Sequence, residues 1–302
     1  WWVRVSFFWC GFFSFCWSLG VFVLGRMFSC FHLVGLSVWP IVFSFRVGGF
    51  LLSVVFWLNV FSFDVFFFFG FGYVFVLVFW LINVVYEFGL GWGVKSVVVG
   101  LCVGVGLFII SEVMFFFGFF WGFFHNSVRP KYGDVGGWPP FVCLSLGLIL
   151  DPFSIPMLNT VLLLSSGFSI TMGHYGLLFG DRLFFLLGVF VTLFWGFLFL
   201  LFQLDEYVIS GVSLNSFVFG SVFFLLTGFH GMHVFVGMCF ILFSFFRYKF
   251  FVRFGLGWGG VCRLESNFAR KSHLGFEVAV WYWHFVDVVW IFLFFFLYVM
   301  GS

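Results

Sequence analysis

Long apolar runs, each ended by a short polar or glycine-rich break, organise this chain. Seven runs are long enough to be read as helices: about Trp39 to Phe61, Phe63 to Glu87, Val94 to His125, Ile155 to Leu178, Leu183 to Leu204, Leu214 to Tyr248 and His273 to Met300. A helix needs about 20 apolar residues to cross a bilayer, so the third and sixth should tilt or project beyond the hydrocarbon. Barrel strands would alternate apolar and polar residues over roughly ten positions, and these runs do not alternate. In lipid every backbone polar group must find its partner within the segment, which continuous helices achieve.

Two connections are long. Asn126 to Ser154 holds Pro130, Pro139, Pro140 and Pro152 and reads as an ordered loop on one face. Phe250 to Lys271 is glycine-rich and basic and belongs on the opposite face. No linker separates two cores and no internal repeat stands out. The expectation is therefore an N-terminal extension, 1–31, followed by one seven-helix domain, 32–302. Within that domain helices 1 and 2 cover about 39–87 and helices 3 to 7 about 94–300. Val5 to Gly25, bracketed by Arg4 and Arg26, is open to three readings: an extra spanning helix, an interfacial segment or a leader.

Composition sharpens the class. The chain is 64% hydrophobic and 8% charged, with mean hydropathy +1.23. A soluble domain carries about 25% charged residues, so the fold class is all-α, a polytopic membrane helix bundle. The net charge is only +2, yet Arg247, Lys249, Arg253, Arg263, Arg270 and Lys271 crowd the connection before the last helix. By the positive-inside rule that connection faces the cytoplasm or an organellar matrix. No nucleic-acid partner is expected. The seven cysteines form no CxxC pair and read as small hydrophobic side chains. Phe, Val, Gly, Leu, Trp and Cys can all be written with codons of U and G, while alanine occurs only at Ala269 and Ala279. That bias suggests a small organellar genome.

Few residues invite chemistry. His230 and His233 lie one turn apart, on neighbouring faces of one helix. A haem takes axial ligands from facing helices and a copper or zinc centre three or four ligands. Structural histidines are therefore the favoured reading, with a haem or metal bound by His230, His233 and His284 as a rival. Glu112 sits in Ile110-Ser-Glu-Val-Met114, mid-helix, with no cation within a turn. It is either a neutral acid with structural hydrogen bonds or part of a proton or polar-lipid site. Glu277, His284 and Asp287 follow i, i+7, i+10 and read as a helix-packing seam rather than an acid–base catalyst. Gly100, Gly104 and Gly106 suggest close helix packing, and Asp205-Glu206 a solvated helix end. A transporter, the other rival, would show inverted repeats and broken helices, and neither is visible.

At longer range the words match a family. They are Phe108-Ile-Ile-Ser-Glu-Val-Met-Phe-Phe-Phe-Gly-Phe-Phe-Trp-Gly-Phe-Phe-His-Asn-Ser127, Gly136-Gly-Trp-Pro-Pro140, Pro156-Met-Leu-Asn-Thr160 and Ser165-Ser-Gly-Phe-Ser-Ile-Thr171. Then come Gly180-Asp-Arg182, Thr227-Gly-Phe-His-Gly-Met-His-Val234, Lys271-Ser-His-Leu-Gly-Phe-Glu-Val-Ala-Val-Trp-Tyr-Trp-His-Phe-Val-Asp287 and the ending Gly301-Ser302. In this order, over about 32–302, the chain resembles subunit III of the haem–copper cytochrome c oxidases in its mitochondrial form.

The resemblance implies seven transmembrane helices in a 2+5 arrangement around a V-shaped cleft that holds phospholipid. It implies packing on subunit I beside the other complex IV subunits, with no catalytic residue, metal or haem on this chain. Haem a and copper sit in partner subunits, and cytochrome c is met only through the complex; membership of a respiratory supercomplex is compatible. The complex oxidises cytochrome c, reduces oxygen to water and pumps protons, and subunit III sustains that activity through structural support and proton uptake. Residue by residue, Glu112 matches the family's membrane-embedded, carbodiimide-reactive glutamate. Glu87, Trp80, His233 and Arg247 match lipid-contacting positions.

There are departures from the family pattern. Its second tryptophan falls on Leu81, two arginines on Ile82 and Tyr86, and an aspartate on Asn83. The Phe250 to Arg270 stretch is longer than the family's link, and the N-terminal extension has no counterpart. With the family's matrix-facing N-terminus, Lys95, Arg182 and the six-cation cluster fall inside, and only Arg129 and Lys131 outside. The implied location is the mitochondrial inner membrane, multi-pass, with the basic 6–7 loop facing the matrix.

Overall fold

The computed structural model describes residues 37–60, 63–87, 95–128, 151–211, 213–214, 217–254 and 273–300. The Val5 to Gly25 segment, the Gly136–Pro140 string and most of the basic 6–7 connection lie outside the described residues. Among those described, every element is helical: α1 (Trp39–Val60), α2 (Phe63–Glu87), α3 (Lys95–Val128), α4 (Ile155–Phe179), α5 (Arg182–Ile209), α6 (Phe217–Phe254) and α7 (Leu274–Leu293). A π-helical turn, Phe294–Val299, continues α7. All seven helices are long and apolar enough to cross a membrane. At 34 and 38 residues, α3 and α6 extend to roughly 50 Å or more at 1.5 Å per residue.

The chain divides into two compact units, the first ending at Val98 and the second running from Val99. In the first, α1 and α2 form an antiparallel pair stepped every seven residues. Phe43 meets Trp80 at 5.1 Å, Phe50 meets Tyr73 at 5.5 Å and Trp57 meets Phe66 at 5.5 Å between ring centroids. A seven-residue step returns a helix to nearly the same face, so aromatic size at those positions sets the register. The Arg46 guanidinium lies over Gly72, where a Cβ would fall 2.6 Å from Nη1.

In the second unit, α4 and α5 are joined by a turn whose chemistry forces them antiparallel. Gly180 takes φ 81°, a left-handed conformation natural to glycine, and with Asp181 returns two N–H groups to the carbonyls of Leu177 and Gly176. The Asp181 carboxylate then accepts from the N–H groups of Leu183 and Phe184, capping α5. Below the turn the two backbones nearly touch: a Cβ at Gly188 would lie 2.6 Å from the Gly173 Cα. Ser169 and Thr192 share a hydroxyl hydrogen bond of 2.8 Å across the same contact.

α7 runs through the centre, antiparallel to α4. The Trp283 indole N–H donates to Ser166 Oγ and that of Trp290 to Thr160 Oγ1, each at 3.0 Å. Trp283 fills a hole floored by Gly196 and Gly237, where added Cβ atoms would approach its ring to 2.9 and 3.0 Å. Phe185, Phe199, Leu226, Ile241, Trp290 and Leu293 belong to the same buried cluster. α3 joins this core through rings, Phe116 against Phe285 at 6.4 Å and Phe120 against Phe296 at 5.9 Å.

Two expectations are corrected here. Gly100, Gly104 and Gly106 face open space, with nothing within 4 Å of an added Cβ. α3 reaches its neighbours with aromatic side chains, and the tight glycine contacts fall between α4 and α5 instead. The Asp205-Glu206 pair is not a solvated end. Asp205 is exposed, but α5 continues to Ile209 and Glu206 points inward with no exposed surface.

Candidate functional site

The mid-membrane carboxyl of Glu112 finds its partner on α6, 121 residues away in sequence. Its Oε2 lies 2.9 Å from His233 Nε2. The pair is largely enclosed, with 23% of the Glu112 side chain and 8% of the His233 side chain exposed. Rings complete the surroundings: Phe116 stands 5.1 Å from the imidazole and Tyr282, stacked, 6.4 Å. Local sequence puts each residue in place. Glu112 and Phe116 are one turn apart on α3, so both address α6, and Phe115 packs on Phe229 at 5.0 Å.

The imidazole's second nitrogen fixes the proton count. Nδ1 lies 2.6 Å from the carbonyl oxygen of Phe229, one turn earlier on α6. A carbonyl only accepts, so Nδ1 must carry a hydrogen. Nε2 is then either a bare acceptor facing a protonated Glu112 or a donor to an ionised one. Both forms hold one proton between carboxyl and imidazole and carry no net charge. A pair of this kind is tolerable within a bilayer, where a lone charge costs several kcal/mol, and it can pass its proton without changing total charge.

The two neighbouring histidines part ways. His230 is fully buried; its Nε2 donates to the carbonyl of Val286 on α7 at 3.2 Å, between Phe199 and Trp290. His284, half-exposed, places Nδ1 3.6 Å from Asp287 Oδ2 and Nε2 3.3 Å from Thr171 Oγ1. The three do not converge, and among the described residues no group of three His, Cys, Asp or Glu side chains is placed to hold a metal ion.

The predicted seam residues all turn toward α4. His284 and Asp287 meet it at Thr171 and Gly167, where Asp287 occupies the space left by the glycine: a Cβ there would fall 2.5 Å from Oδ2. Glu277, in the first turn of α7 and half-buried, is near enough to His174 of α4 to interact with it electrostatically. Of the lipid-contact candidates, Trp80 packs against Phe43, and Glu87 accepts from the Asn83 amide at 3.1 Å. Both belong to the α1–α2 unit. Arg247, partly buried, lies in the other unit beside Gly275 at the start of α7.

Sequence reasoning on isolated windows found Glu112 and missed its partner, because nothing local links positions so far apart. The signal available was a second mid-helix polar residue, His233, that likewise needed a partner. The buried group of Gln203, Glu206 and Tyr298 was missed altogether.

A family model described as Cytochrome c oxidase subunit III matches residues 29–302. Cytochrome c oxidase subunit 3 of Tragelaphus imberbis and that of Bos taurus are each 45% identical over 204 residues, 67% of this chain and 70% of the relative. The Ovis aries protein of the same name is 44% identical over an equal span.

Proposed function

The chain belongs to the cytochrome c oxidase subunit III family, and from that premise we propose that it is a core subunit of respiratory complex IV without a redox centre of its own. It supports electron transfer from cytochrome c to oxygen, coupled to proton pumping, by stabilising subunit I, holding structural phospholipid and assisting proton uptake. Haem a and copper belong to partner subunits, and cytochrome c engages the complex rather than this chain. The setting is the mitochondrial inner membrane, with the basic 6–7 connection facing the matrix. The observation that carries this reading is the family match over residues 29–302.

Within that role Glu112 and His233 act as a one-proton, net-neutral pair, partly open at the surface of α3, that exchanges its proton with the proton-uptake region. Glu87, Trp80, His233 and Arg247 contact phospholipid: the Arg247 guanidinium meets phosphate, and tryptophan sits at the headgroup level. Glu277, His284 and Asp287 serve packing, with His284 and Asp287 holding α7 to α4.

The test is purification in mild detergent through a tag on this chain, followed by a redox difference spectrum. Co-purified haem a and oxidase activity are expected, with activity falling when this subunit is stripped and the haem staying with the other chains. Haem or metal that remained with the stripped subunit would overturn the proposal.

A further inference from the structure

At the other end of α5 from the Gly180 turn, three side chains unused by the proposed role converge. Gln203 and Glu206 are one turn apart on α5, and Tyr298 reaches toward both from the π-helical turn after α7. Glu206 has no exposed surface, and Gln203 and Tyr298 have 3% each. Both carboxyl oxygens, both amide atoms and the phenol oxygen are enclosed; Tyr298 and Gln203 stand near enough to Glu206 to interact with it, but no direct hydrogen bond of good geometry forms among them. The antiparallel register that sets Gly173 against Gly188 and Ser169 against Thr192 brings Asn159 of α4 to the level of Gln203. Asn159 is also fully buried with both amide atoms unpaired. Beside them Tyr207 is already committed, donating to Thr227 Oγ1 at 2.7 Å.

An unpaired buried polar atom costs about 1–3 kcal/mol. Seven in one layer are not sustained by a fold of ordinary stability. Two amide groups and one phenol offer as many hydrogens as the carboxyl, the amide carbonyls and the phenol offer acceptor oxygens, yet none of these contacts is made directly, so something must stand between them. A small ligand that both donates and accepts matches this set, and water does so with two of each.

The π-turn points the same way. Its i→i−5 pattern, seen in the Met300 N–H to Phe295 carbonyl bond of 3.0 Å, is rare and concentrated at functional positions. Buried positions on α7 run 283, 286, 290 and 293 at helical spacing. The wider turn holds Tyr298 back onto this inward face together with Leu297. Without it the phenol would rotate away from α5.

We propose that Asn159, Gln203, Glu206 and Tyr298 form a buried water-binding site that locks α4, α5 and the end of α7 together, with the π-turn present to deliver the Tyr298 hydroxyl. The site is separate from the Glu112–His233 pair and does not depend on the role assigned to it. The test is cryo-electron microscopy of the full chain, in the assembly with which it co-purifies, at a resolution that resolves ordered water. Water density is expected within hydrogen-bond distance of Glu206, Gln203 and the Tyr298 oxygen. It should persist in Glu206→Gln, which keeps two polar atoms at the same place, and be lost or displaced in Tyr298→Phe. A direct Tyr298–Glu206 bond with no water between would overturn the proposal, as would the same density unchanged in Tyr298→Phe. The infrared carboxyl band of the unsubstituted protein gives a second reading. Loss of a band in Glu206→Gln identifies it, and a water O–H stretch that shifts in heavy-oxygen water and is altered in both Glu206→Gln and Tyr298→Phe is expected; no water band that responds to either substitution would count against the site.

Discussion

α3 and α4 are neighbours in the chain and opposites in how they are held. α3 is among the most apolar of the seven helices, yet its most apolar stretch contains no buried residue; α4 is the least apolar and half of its stretch is buried. In water the ranking would run the other way. In lipid the surroundings are as apolar as leucine, so hydrophobicity gives a helix no reason to go inside, whereas hydroxyls and amides do. α4 carries Thr160, Ser166, Ser169 and Thr171 and answers them with Trp290, Trp283, Thr192 and His284. α3 has one inward acid and otherwise adheres through rings. Polarity, together with small residues that let backbones meet, decides which helix becomes the centre.

The two helices should differ most in their response to substitution at the glycine crossing. Gly188→Leu must displace the Gly173 backbone and should destabilise the α4–α5 pair by about 3 kcal/mol or more. The chain would then fail to accumulate as a folded species in membranes. Gly104→Leu, on the open face of α3, should change the unfolding midpoint by less than about 0.5 kcal/mol equivalent. Equal sensitivity at the two positions would mean that α3 is as tightly enclosed as α4.

Gly167→Ala tests the central seam more gently. The new methyl group competes with Asp287 for space and should cost about 1–3 kcal/mol, read as a lower midpoint in detergent. Asp287→Asn should not rescue it, because the clash is steric and the amide is as large as the carboxyl.

Thr192→Val removes one member of the Ser169–Thr192 bond while keeping shape. Interhelical hydrogen bonds in membranes are worth about 0.6 kcal/mol on average and about 1.7 at most, so the midpoint should fall within that range. A loss well above it would point to a role beyond one hydrogen bond.

Glu112→Gln sharpens the α3 side. The amide keeps a hydrogen bond to His233, so assembly should be intact and stability change by less than about 1 kcal/mol. Carbodiimide labelling at this position should vanish and proton uptake should slow. Failure of the complex to assemble would make Glu112 structural and remove it from the proton-exchange role. A double-mutant cycle with His233→Gln should return a coupling of about 0.5 kcal/mol or more; none would mean the pair does not share a proton.

Seven spans and nearly all their boundaries were readable from the chain alone, because length and the lack of alternation leave only helices in a bilayer. The turn at Gly180-Asp181 was readable in principle, since a left-handed glycine followed by a capping aspartate is a local signal. Glu112 was recognisable as unusual because a carboxyl in an apolar run always needs an explanation. The same rule applied to His233, but not which residue each would meet.

The class of solvent, the number of crossings and the family follow from composition, run length and long shared strings. The tertiary structure decided the pairings: Glu112 with His233, Trp283 with Ser166, Asp287 against Gly167, and Gln203 and Glu206 turned inward to a tyrosine on a π-turn. Seen singly, Glu206 at a helix end looks like any solvated acid, and Gly104 like any packing glycine. Only the register of antiparallel helices brings residues 20 to 130 positions apart to one level, and that register is set by contacts summed over whole helix faces, which no window of sequence contains.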